Sequence, residues 1–316
     1  MKIAVLSPVA WRTPPLHYGP WEQIASYIAE GLIQQGHDVH LYATKNSNTQ
    51  GTLKYIVDEA WEENKNIDAK VSECMHISYL MEHAHEYDII HNHFDFLPLT
   101  YTRLIKTPVI TTIHGFSSPK IVPVYKRFND CNYYVSISYA NRHPDLTYIG
   151  NVYHGIDIQK FTFSDTHGSY LLFFGRIHHD KGTYEAIQIA LQSSYPLLIS
   201  GIIQDPSYFE QKVKPYIDNK KIFYLGHSTP EQRNKLLKEA LALLHPIQFN
   251  EPFGLSIIES MCCGTPVIAY NKGSIPEIIS NKKTGFIVNN EQEAIETIKH
   301  IQKINRKECR QWVKEK

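Results

Sequence analysis

Short apolar segments alternate with longer polar or amphipathic stretches along the whole chain, and this alternation occurs in both halves. The apolar segments of the first half are KIAVLSP, HDVHLYAT, DIIHNH, PVITTIH and YYVSIS, and those of the second are YLLFFG, PLLISG, IFYLG, LALLHP, PVIAY and GFIV. Helical patterns stand between them, such as QIASYIAEGLIQQG, GTYEAIQIALQ, SYFEQKVKPYID and PEQRNKLLKEA. Nearly continuous apolar strands separated by helices are typical of parallel sheets covered on both faces.

The length of 316 residues favours two domains, because single cores rarely grow beyond about 250–300 residues. We expect two Rossmann-like, doubly wound domains of the α/β class, over residues 1–160 and 161–316. The polar segment QKFTFSDTHGS, residues 159–169, is the predicted junction. Two such domains on a short linker predict a cleft, and open parallel sheets bind ligands beyond the carboxyl ends of their strands.

Charge and composition exclude several classes of partner. The 32 basic and 32 acidic residues cancel, so no overall basic field attracts nucleic acid. No apolar run approaches the ~18 residues of a membrane span, and the N-terminal segment is too short for a signal peptide. The five scattered cysteines form no C-x-x-C pair and indicate reduced thiols. We therefore expect a cytoplasmic protein, with peripheral contact to a membrane left open.

The segment YLLFFGRIHHDKG runs from an apolar strand directly into a basic loop that contains Gly175, Arg176 and Lys181. An Arg fork and a Lys point charge beside a glycine suit a diphosphate. The alternative is a solvated basic loop. Because Arg176 follows five apolar residues without a break, the pattern favours the diphosphate site.

The segment NEPFGLSIIESMCCGTPVIAY carries two glutamates, Glu251 and Glu259, eight positions apart. On one helix they would be about 12 Å apart along the axis and roughly 80° apart around it, a poor arrangement for a shared acid/base pair. The prolines and glycines predict a helix over residues 255–263 instead, with Glu251 in the loop before it and Gly264 after it.

In that geometry the amides of residues 253–255 form a free helix N-terminus between the two carboxylates. Glu251 and Glu259 would then contact different ends of one long ligand whose phosphates lie between them. The alternative makes Glu251 a charge favoured by the helix dipole and Glu259 a surface residue. Apolar neighbours of Glu259 count against the alternative, because a bare buried carboxylate is costly.

Three features of the first half lie at predicted strand ends. Gly19 precedes a helix whose first turn contains Glu22, which suits either a phosphate or an ordinary loop, and the G-x-G-x-x-G fingerprint is absent. His114 ends PVITTIH and is either a ligand donor or a structural histidine. His91 and His93 share one side of a strand, but no third ligand clusters near them in the sequence, so we predict no metal site.

Together these segments resemble the retaining GT-B glycosyltransferases of family 4, also called glycosyl transferases group 1. The matching segments are EPFGLSIIE followed by GTPVIAY, FFGRIHHDKG, TIHG, VSISY and YHGID. The resemblance spans about residues 1–300. It implies transfer of a hexose from a nucleoside-diphosphate sugar, UDP-glucose being favoured, to a small-molecule or glycan acceptor, without a metal or other cofactor.

The resemblance also implies a role for individual residues. The catalytic group comprises Glu251 on hydroxyls of the transferred sugar, Arg176 and Lys181 on the diphosphate, and His114 near the reaction centre. The donor site adds Gly19, Gly175, Gly201, Leu225, Gly226, His227, Phe253, Gly254, Leu255 and Glu259, with Glu259 on the ribose. The acceptor side is assigned to Trp11, His17, Trp21, His93 and Phe94, whose rings suit a sugar or a flat small molecule.

The chain departs from the family pattern at three places. The first loop has one glycine, followed by Pro20, which lacks an N–H for a second phosphate contact. His154 stands where asparagine is commoner. The last segment, NRKECRQWVKEK, reads as a helix, and the family usually packs such a helix back onto the first domain. The alternatives to a transferase are a GT-B nucleotide-sugar epimerase or hydrolase and a non-catalytic nucleotide-sugar binding protein.

Overall fold

A computed structural model describes residues 1–116 and 118–316. The chain divides into two compact units, residues 1–155 and 156–316. The division lies slightly before the predicted junction at 159–169, because that stretch packs within the second unit. Arg310 donates hydrogen bonds to the carbonyls of Ile158 and Phe161, at 3.1 and 2.8 Å.

Within the described residues, the first unit contains a seven-stranded sheet in the order β3-β2-β1-β4-β5-β6-β7, and its strand pairs are parallel. The strands are β1 (Lys2–Leu6), β2 (Asp38–Tyr42), β3 (Thr52–Lys54), β4 (Ile89–Asn92), β5 (Val109–Ile113), β6 (Tyr133–Ser136) and β7 (Tyr148–Asn151). The helices are α1 (Pro20–Gln34), α2 (Ala69–Glu82) and α3 (Val122–Arg127). The five predicted strands are confirmed, whereas β3 and β7 were not predicted.

The central strand β1 shows why its sequence is continuously apolar. Val5 packs in a cluster with Ala25 of α1, and Leu6 packs in a separate cluster with Leu80 of α2. Because successive side chains of a strand point to opposite faces, a strand with a helix layer on each side must be apolar at every position.

The second unit contains a parallel six-stranded sheet in the order β10-β9-β8-β11-β12-β13, again within the described residues. The strands are β8 (Leu171–Phe174), β9 (Leu197–Ser200), β10 (Ile222–Tyr224), β11 (Ala242–His245), β12 (Val267–Tyr270) and β13 (Gly285–Val288). The helices are α4 (Thr183–Leu191), α5 (Pro206–Tyr208), α6 (Pro230–Glu239), α7 (Leu255–Cys262), α8 (Ile275–Ile278), α9 (Glu291–Ile298) and α10 (Arg306–Glu315). All six predicted strands are confirmed, and so is the two-sheet α/β architecture.

Two predicted helices of the second unit had different outcomes. Helix α7 begins and ends as predicted to within one residue, and Gly264 follows it with φ of 90°. The predicted helix over 207–218 is wrong as a single regular helix. It consists of α5, a π-helical turn at Phe209–Val213 and a 3₁₀ turn at Lys214–Tyr216. Pro215 explains the break, because proline lacks the N–H that a continuing helix requires.

The last helix, α10, packs against α7 of its own unit. Its anchor is Arg306, which is 2% exposed and donates to the carbonyls of Ser164, Ala240 and Lys238 and to the hydroxyl of Thr265. These bonds satisfy most of the guanidinium and join α10 to the core of the second unit. The packing onto the first domain that the resemblance implied stays a prediction.

Among the residues that the structure describes, none of the helices combines the length and the apolar character needed to span a membrane.

Candidate active site

The sheet topology of the second unit singles out one edge as a ligand site. From β8 the chain moves outward to β9 and β10 on one side, while β11, β12 and β13 lie on the other side. The order of the strands therefore reverses between β8 and β11. Such a switch point leaves a crevice at the carboxyl ends of the strands, where doubly wound proteins bind ligands. The loops after β8 and β11 flank it, and these carry Arg176, Lys181 and Glu251.

Lys181 and Glu251, 70 residues apart in the sequence, form a buried ion pair at this edge. Lys181 Nζ donates to Glu251 Oε2 at 3.0 Å, and His245 Nε2 lies 3.3 Å from the same oxygen. The side chains of Lys181 and Glu251 are 17% and 9% exposed. Lys181 Nζ also lies 4.6 Å from the centre of the Phe249 ring. The structure thus joins two of the predicted catalytic residues directly.

The environment of Glu251 keeps this carboxylate ionised. Burial by itself raises the pKa of Glu251, but the ammonium of Lys181 and the hydrogen bond from His245 together lower that pKa to about 2. Both neighbours contact Oε2, so among the described residues Oε1 has no hydrogen-bond partner. Glu251 is therefore a fixed anion with one oxygen open to a hydroxyl donor, and its charge at neutral pH does not suit a general acid.

The segment between Glu251 and α7 is held in place by Ser274. The Ser274 amide donates to the Glu251 carbonyl, and its hydroxyl donates to the Phe253 carbonyl, each at 2.9 Å. Gly254 precedes α7 with φ of 97°, a left-handed conformation that favours glycine. The predicted residues Phe253, Gly254 and Leu255 therefore lie at the N-terminus of α7, next to Glu251.

The loops after β8 and β9 meet at Gly175 and Gly201. A Cβ added to Gly201 would lie 1.7 Å from the Gly175 carbonyl oxygen, so only glycine fits there. Arg176 follows Gly175 and donates a hydrogen bond to the side-chain oxygen of Gln204. This contact holds the guanidinium at the strand ends, where it was predicted.

The loop after β10 contains three of the residues assigned to the donor site. Leu225 is 46% exposed although it is a large apolar residue, and Gly226 accepts a hydrogen bond from the Gly201 amide at 2.9 Å. His227 follows directly. The loop is thus joined to the end of β9 and presents an apolar side chain to solvent.

Glu259 lies in the second turn of α7 and pairs with a cation from α6. Arg233 Nη1 is 3.2 Å from Glu259 Oε1, and the two side chains are 28% and 12% exposed. Burial raises the pKa of Glu259, and the charge of Arg233 opposes that rise. Glu259 is therefore neither the surface charge of the alternative interpretation nor an unpaired buried carboxylate.

In the first unit, three histidines at the strand ends form a continuous hydrogen-bonded row. His93 Nδ1 lies 2.9 Å from His114 Nε2, and His114 Nδ1 lies 3.2 Å from His154 Nε2. His91 packs beside His93 with ring centres 4.2 Å apart and bonds to the Thr112 hydroxyl at 2.8 Å. His91 and His93 thus both contact side chains of the first unit, and the absence of a metal there stays a prediction.

Burial lowers the pKa of every histidine in this row, and the neighbouring imidazoles lower the pKa of His93 and His114 further. Each ring is therefore neutral at pH 7 and has a single N–H. Both nitrogens of His114 are already hydrogen-bonded, one as donor and one as acceptor. A contact from the His114 side chain to a sugar, as the resemblance implies, requires one of these bonds to open.

The residues assigned to the acceptor differ in exposure. Trp21 stacks on His114 with ring centres 5.4 Å apart, and Trp11 meets Tyr18 edge-on at 6.0 Å. His17 is exposed, whereas His93 is fully buried. Phe94 is 6% exposed and belongs to the core cluster of the first unit, so its ring has little surface to offer a ligand.

The first turn of α1 contains a buried carboxyl beside the predicted phosphate contact. Gly19 immediately precedes α1, and a Cβ there would lie 3.0 Å from Glu22 Oε2. Glu22 is 3% exposed and accepts a hydrogen bond from the Trp11 amide at 3.1 Å. Burial raises the pKa of Glu22 to about 7, although the amide hydrogen bonds favour its charged form.

Within residues 1–116 and 118–316, one group of three side chains could offer atoms to a metal ion within 4.8 Å of one another: His178, His179 and Asp205. His178 is hydrogen-bonded to Asp180 at 2.6 Å, and His179 Nδ1 is 3.6 Å from Asp205. Each of the three already lies close to another polar side chain, and His179 is mostly exposed.

Besides Ser274 and Phe249, sequence reasoning missed four residues whose side chains contact the side chains of predicted site residues. They are His245, Gln204, Arg233 and, as a hydrogen-bond partner of His114, His154. The ending of the strand segment LALLHP in His245-Pro246 was a usable signal for the first of them. Arg233 stands in a largely polar helix, where one more cation gives no signal.

Comparison with known proteins covers both units. The family model described as Glycosyl transferases group 1 matches residues 156–316, and the model described as Glycosyltransferase Family 4 matches residues 22–145. The glycogen synthase of Mycobacterium tuberculosis is 24% identical over 334 aligned positions, which cover 88% of this chain and 80% of that protein.

Solved structures share the fold at low sequence identity. The HepE protein of Anabaena, in complex with UDP and glucose, superimposes with a TM-score of 0.78 at 18% identity, over 100% of this chain and 95% of that one. The sucrose-phosphate synthase of Thermosynechococcus elongatus gives a TM-score of 0.79 at 17% identity, over 100% and 94%. Both likenesses confirm the expected GT-B fold.

Proposed function

Because this chain belongs to the glycosyl transferases group 1 family, we propose that it moves a hexose from a nucleoside-diphosphate sugar to a small-molecule or glycan acceptor. We favour UDP-glucose as the donor, retention of the anomeric configuration and independence from metal ions. The observation that carries the proposal is the state of Glu251, a buried, ionised carboxylate with one oxygen fixed by Lys181 and the other open.

The ion pair leaves both partners with capacity for a ligand. The ammonium of Lys181 has three N–H donors, of which Glu251 takes one, so two remain for phosphate oxygens. The open Oε1 of Glu251 accepts from a hydroxyl of the transferred sugar. The two members of the ion pair therefore contact different parts of one donor: Lys181 binds the diphosphate and Glu251 binds the hexose.

The same arrangement lowers the barrier to departure of the leaving group. Negative charge grows on the nucleoside diphosphate as the bond to the anomeric carbon breaks. Arg176, Lys181 and the amides at the N-terminus of α7 are held by hydrogen bonds and packing before the donor arrives. Fixed charges of this kind stabilise the transition state more than the ground state, and this difference accelerates the reaction.

This chemistry requires neither a protein nucleophile nor a metal. Two cations already balance the diphosphate, and the low pKa of Glu251 suits a binding anion better than a proton donor. In the proposed reaction the acceptor hydroxyl attacks the face from which the diphosphate leaves. The oxygen of the leaving group takes the proton of the acceptor, so the configuration of the sugar is retained.

UDP-glucose is favoured in part because a protein with the same fold as this chain binds it. HepE, which shares the fold of this chain, has been solved with UDP-glucose as well as with UDP and glucose. The apolar, exposed Leu225 at the end of β10 suits contact with the face of a base. GDP-mannose and UDP-N-acetylglucosamine are the competing donors to be measured beside it.

Release of nucleoside diphosphate tests the proposal. The protein is incubated with UDP-glucose, GDP-mannose or UDP-N-acetylglucosamine, with and without a panel of sugar and small-molecule acceptors, in buffer that contains EDTA. We expect release from one donor that depends on an acceptor, with the donor's α-anomeric configuration in the product by NMR. Glu251→Gln serves as the inactive control.

The same assay separates the other reaction classes. Free sugar without an acceptor would indicate a hydrolase, and a changed sugar on an intact nucleotide would indicate an epimerase. Binding of a donor without any turnover would refute the proposal of an enzyme. Loss of activity in EDTA that added Mg²⁺ or Mn²⁺ restores would refute metal independence alone.

A further inference from the structure

The contact between Arg233 and Glu259 joins the polar helix α6 to the helix that follows Glu251. Glu259 makes an ion pair with Arg233 at 3.2 Å, but the described residues donate no hydrogen bond to its carboxylate. Its side chain keeps 12% exposure, so the oxygens are reachable. Buried carboxylates are normally hydrogen-bonded, and an accessible one without donors has free capacity for a ligand.

Arg233 has unused capacity as well. Its buried Nε–H lacks a hydrogen-bond partner among residues 1–116 and 118–316. Its guanidinium carbon lies 5.6 Å from the centre of the Phe161 ring, which limits the orientation of the group. The side chain is therefore fixed by an aromatic ring on one side and by Glu259 on another, without the hydrogen bonds that a purely structural arginine makes. Arg306, which is bonded to four oxygens in the same unit, shows the contrast.

The positive charge of Arg233 affects how many hydrogen bonds the carboxyl group of Glu259 can accept. Burial favours the protonated form of a carboxyl, and a protonated carboxyl donates with one oxygen and can no longer accept with both. An arginine stays charged at every physiological pH, so its presence favours the carboxylate. A vicinal pair of hydroxyls can donate to both oxygens of a carboxyl group only when neither oxygen carries a proton.

We propose that Arg233 is a positioning residue for the nucleotide ribose, which holds Glu259 as an oriented carboxylate that accepts both ribose hydroxyls. This inference rests on the proposed function and on the role that the resemblance implies for Glu259, at the ribose of the donor. It adds a residue outside the segments FFGRIHHDKG and EPFGLSIIE that carry the resemblance, on the helix that follows β10. Because ribose is common to all nucleoside diphosphates, the inference does not depend on the base.

A carboxylate that accepts from both hydroxyls distinguishes ribose from 2′-deoxyribose, since the deoxy sugar leaves one oxygen unpaired. We expect wild-type protein to bind the ribonucleotide at least about 10-fold more tightly than its 2′-deoxy analogue, which corresponds to the loss of one hydrogen bond to a charged group. Arg233→Met should reduce this ratio to less than about 3-fold. Arg233→Lys should give a ratio between the two.

Isothermal titration calorimetry measures the ratio. UDP, GDP and ADP are first titrated into the wild-type protein, and the tightest of them is compared with its 2′-deoxy form. Lys235→Met is the matched control, because Lys235 is an exposed cation of the same helix. It should keep the wild-type ratio. Glu259→Gln provides a second background, in which Arg233→Met should change the ratio no further.

The outcomes separate this inference from the proposed function. If wild-type protein binds no nucleoside diphosphate, the proposed function fails. If wild-type protein discriminates and Arg233→Met discriminates equally well, the role of Arg233 is refuted while the proposed function stands. If Arg233→Met weakens the binding of the ribonucleotide and of its 2′-deoxy analogue equally, Arg233 contacts phosphate or base. If the variant binds the nucleotides more tightly, Arg233 blocks the site. Both results overturn the inference. If Arg233→Met does not fold, Arg233→Lys and the Glu259→Gln background decide the question.

Discussion

Lys181 Nζ lies 3.0 Å from Glu251 Oε2, and both side chains are largely buried. Removal of one partner leaves the other charge buried without compensation, which costs more than removal of both. We expect Lys181→Met to lower the free energy of unfolding at pH 7 by about 2–4 kcal/mol. The double variant with Glu251→Gln should recover at least about 1 kcal/mol of that loss.

Urea denaturation of the two single variants and the double variant gives the coupling energy. Lys220→Met, which removes an exposed lysine of the same unit, is the control and should change stability by less than about 0.5 kcal/mol. Strict additivity of the two substitutions would show that the pair contributes nothing as a pair.

The catalytic assignment predicts a common loss of turnover. Arg176→Ala, Lys181→Ala and Glu251→Ala each remove a group that contacts the donor in the proposed transition state. Each should reduce kcat by on the order of 100-fold or more, by comparison with single contacts of this kind in other enzymes. Steady-state release of nucleoside diphosphate measures the effect, and circular dichroism checks the fold. Rates near wild type in all three would contradict the site.

Glu22 predicts an unusual dependence of stability on pH. Its folded pKa is raised from 4.5 to about 7 by burial, so its stabilising contribution is complete below about pH 4.5 and is lost as the pH rises through 7. Glu22→Gln has no proton to lose and retains an oxygen that can accept from the Trp11 amide. The free energy of unfolding of the variant, relative to that of wild type, should rise by up to about 3 kcal/mol between pH 4.5 and pH 8.

Chemical denaturation of wild type and Glu22→Gln at pH 5, 6, 7 and 8 measures this difference in the free energy of unfolding. Glu30→Gln, at a partly buried position of the same helix, is a suitable comparison, because its amide oxygen can still accept from the Thr49 hydroxyl. If Glu22→Gln and wild type have parallel pH profiles, Glu22 is ionised in the folded protein at neutral pH.

The row of three histidines predicts different effects for two substitutions at one position. His154→Asn introduces an amide, which can donate to or accept from His114 Nδ1. His154→Leu removes that capacity and leaves a buried nitrogen unsatisfied, at a cost of about 1–3 kcal/mol. The leucine variant should therefore be less stable than the asparagine variant in thermal and urea unfolding. Equal stability would mean that the 3.2 Å contact is dispensable.

Arg306 predicts the largest structural effect. Four hydrogen bonds from one buried guanidinium join α10 to the carbonyls and the hydroxyl of three other segments. Arg306→Met leaves these acceptors buried without donors and should lower the free energy of unfolding by about 3–5 kcal/mol. Lys307→Met, at an exposed neighbour, should be nearly neutral. A loss below about 1 kcal/mol would show that water replaces the guanidinium.

The central strands and the helix after Glu251 were predictable from the sequence, because buried elements require a regular pattern of apolar residues. A strand between two helix layers must be apolar where it is buried, as β1 is over residues 3–6 and β11 over residues 242–244. The two edge strands of the first sheet escaped prediction for the same reason. β3 and β7 read TLK and YIGN, are only partly buried, and pair with one neighbour each, so little in their sequences distinguishes them from loops.

The candidate site was predictable where a residue directly follows a strand. Arg176 and His114 stand at such ends, and the topology alone brings them to the edges of their sheets. The pairing of one side chain with another within each unit was not predictable. His245 reaches Glu251 across a turn of the chain, and Arg233 reaches Glu259 from another helix. These contacts depend on how elements pack, and a single sequence contains no measure of that.

The close approach of Gly201 to the Gly175 carbonyl has a consequence for engineering of the proposed nucleotide site. Any side chain at position 201 meets backbone at 1.7 Å, so a randomised library there would consist mostly of misfolded clones. Leu225, at the end of the neighbouring strand, is 46% exposed and can be exchanged without such a clash. A library that keeps codon 201 constant and varies codon 225 therefore contains more folded variants for the same screening effort.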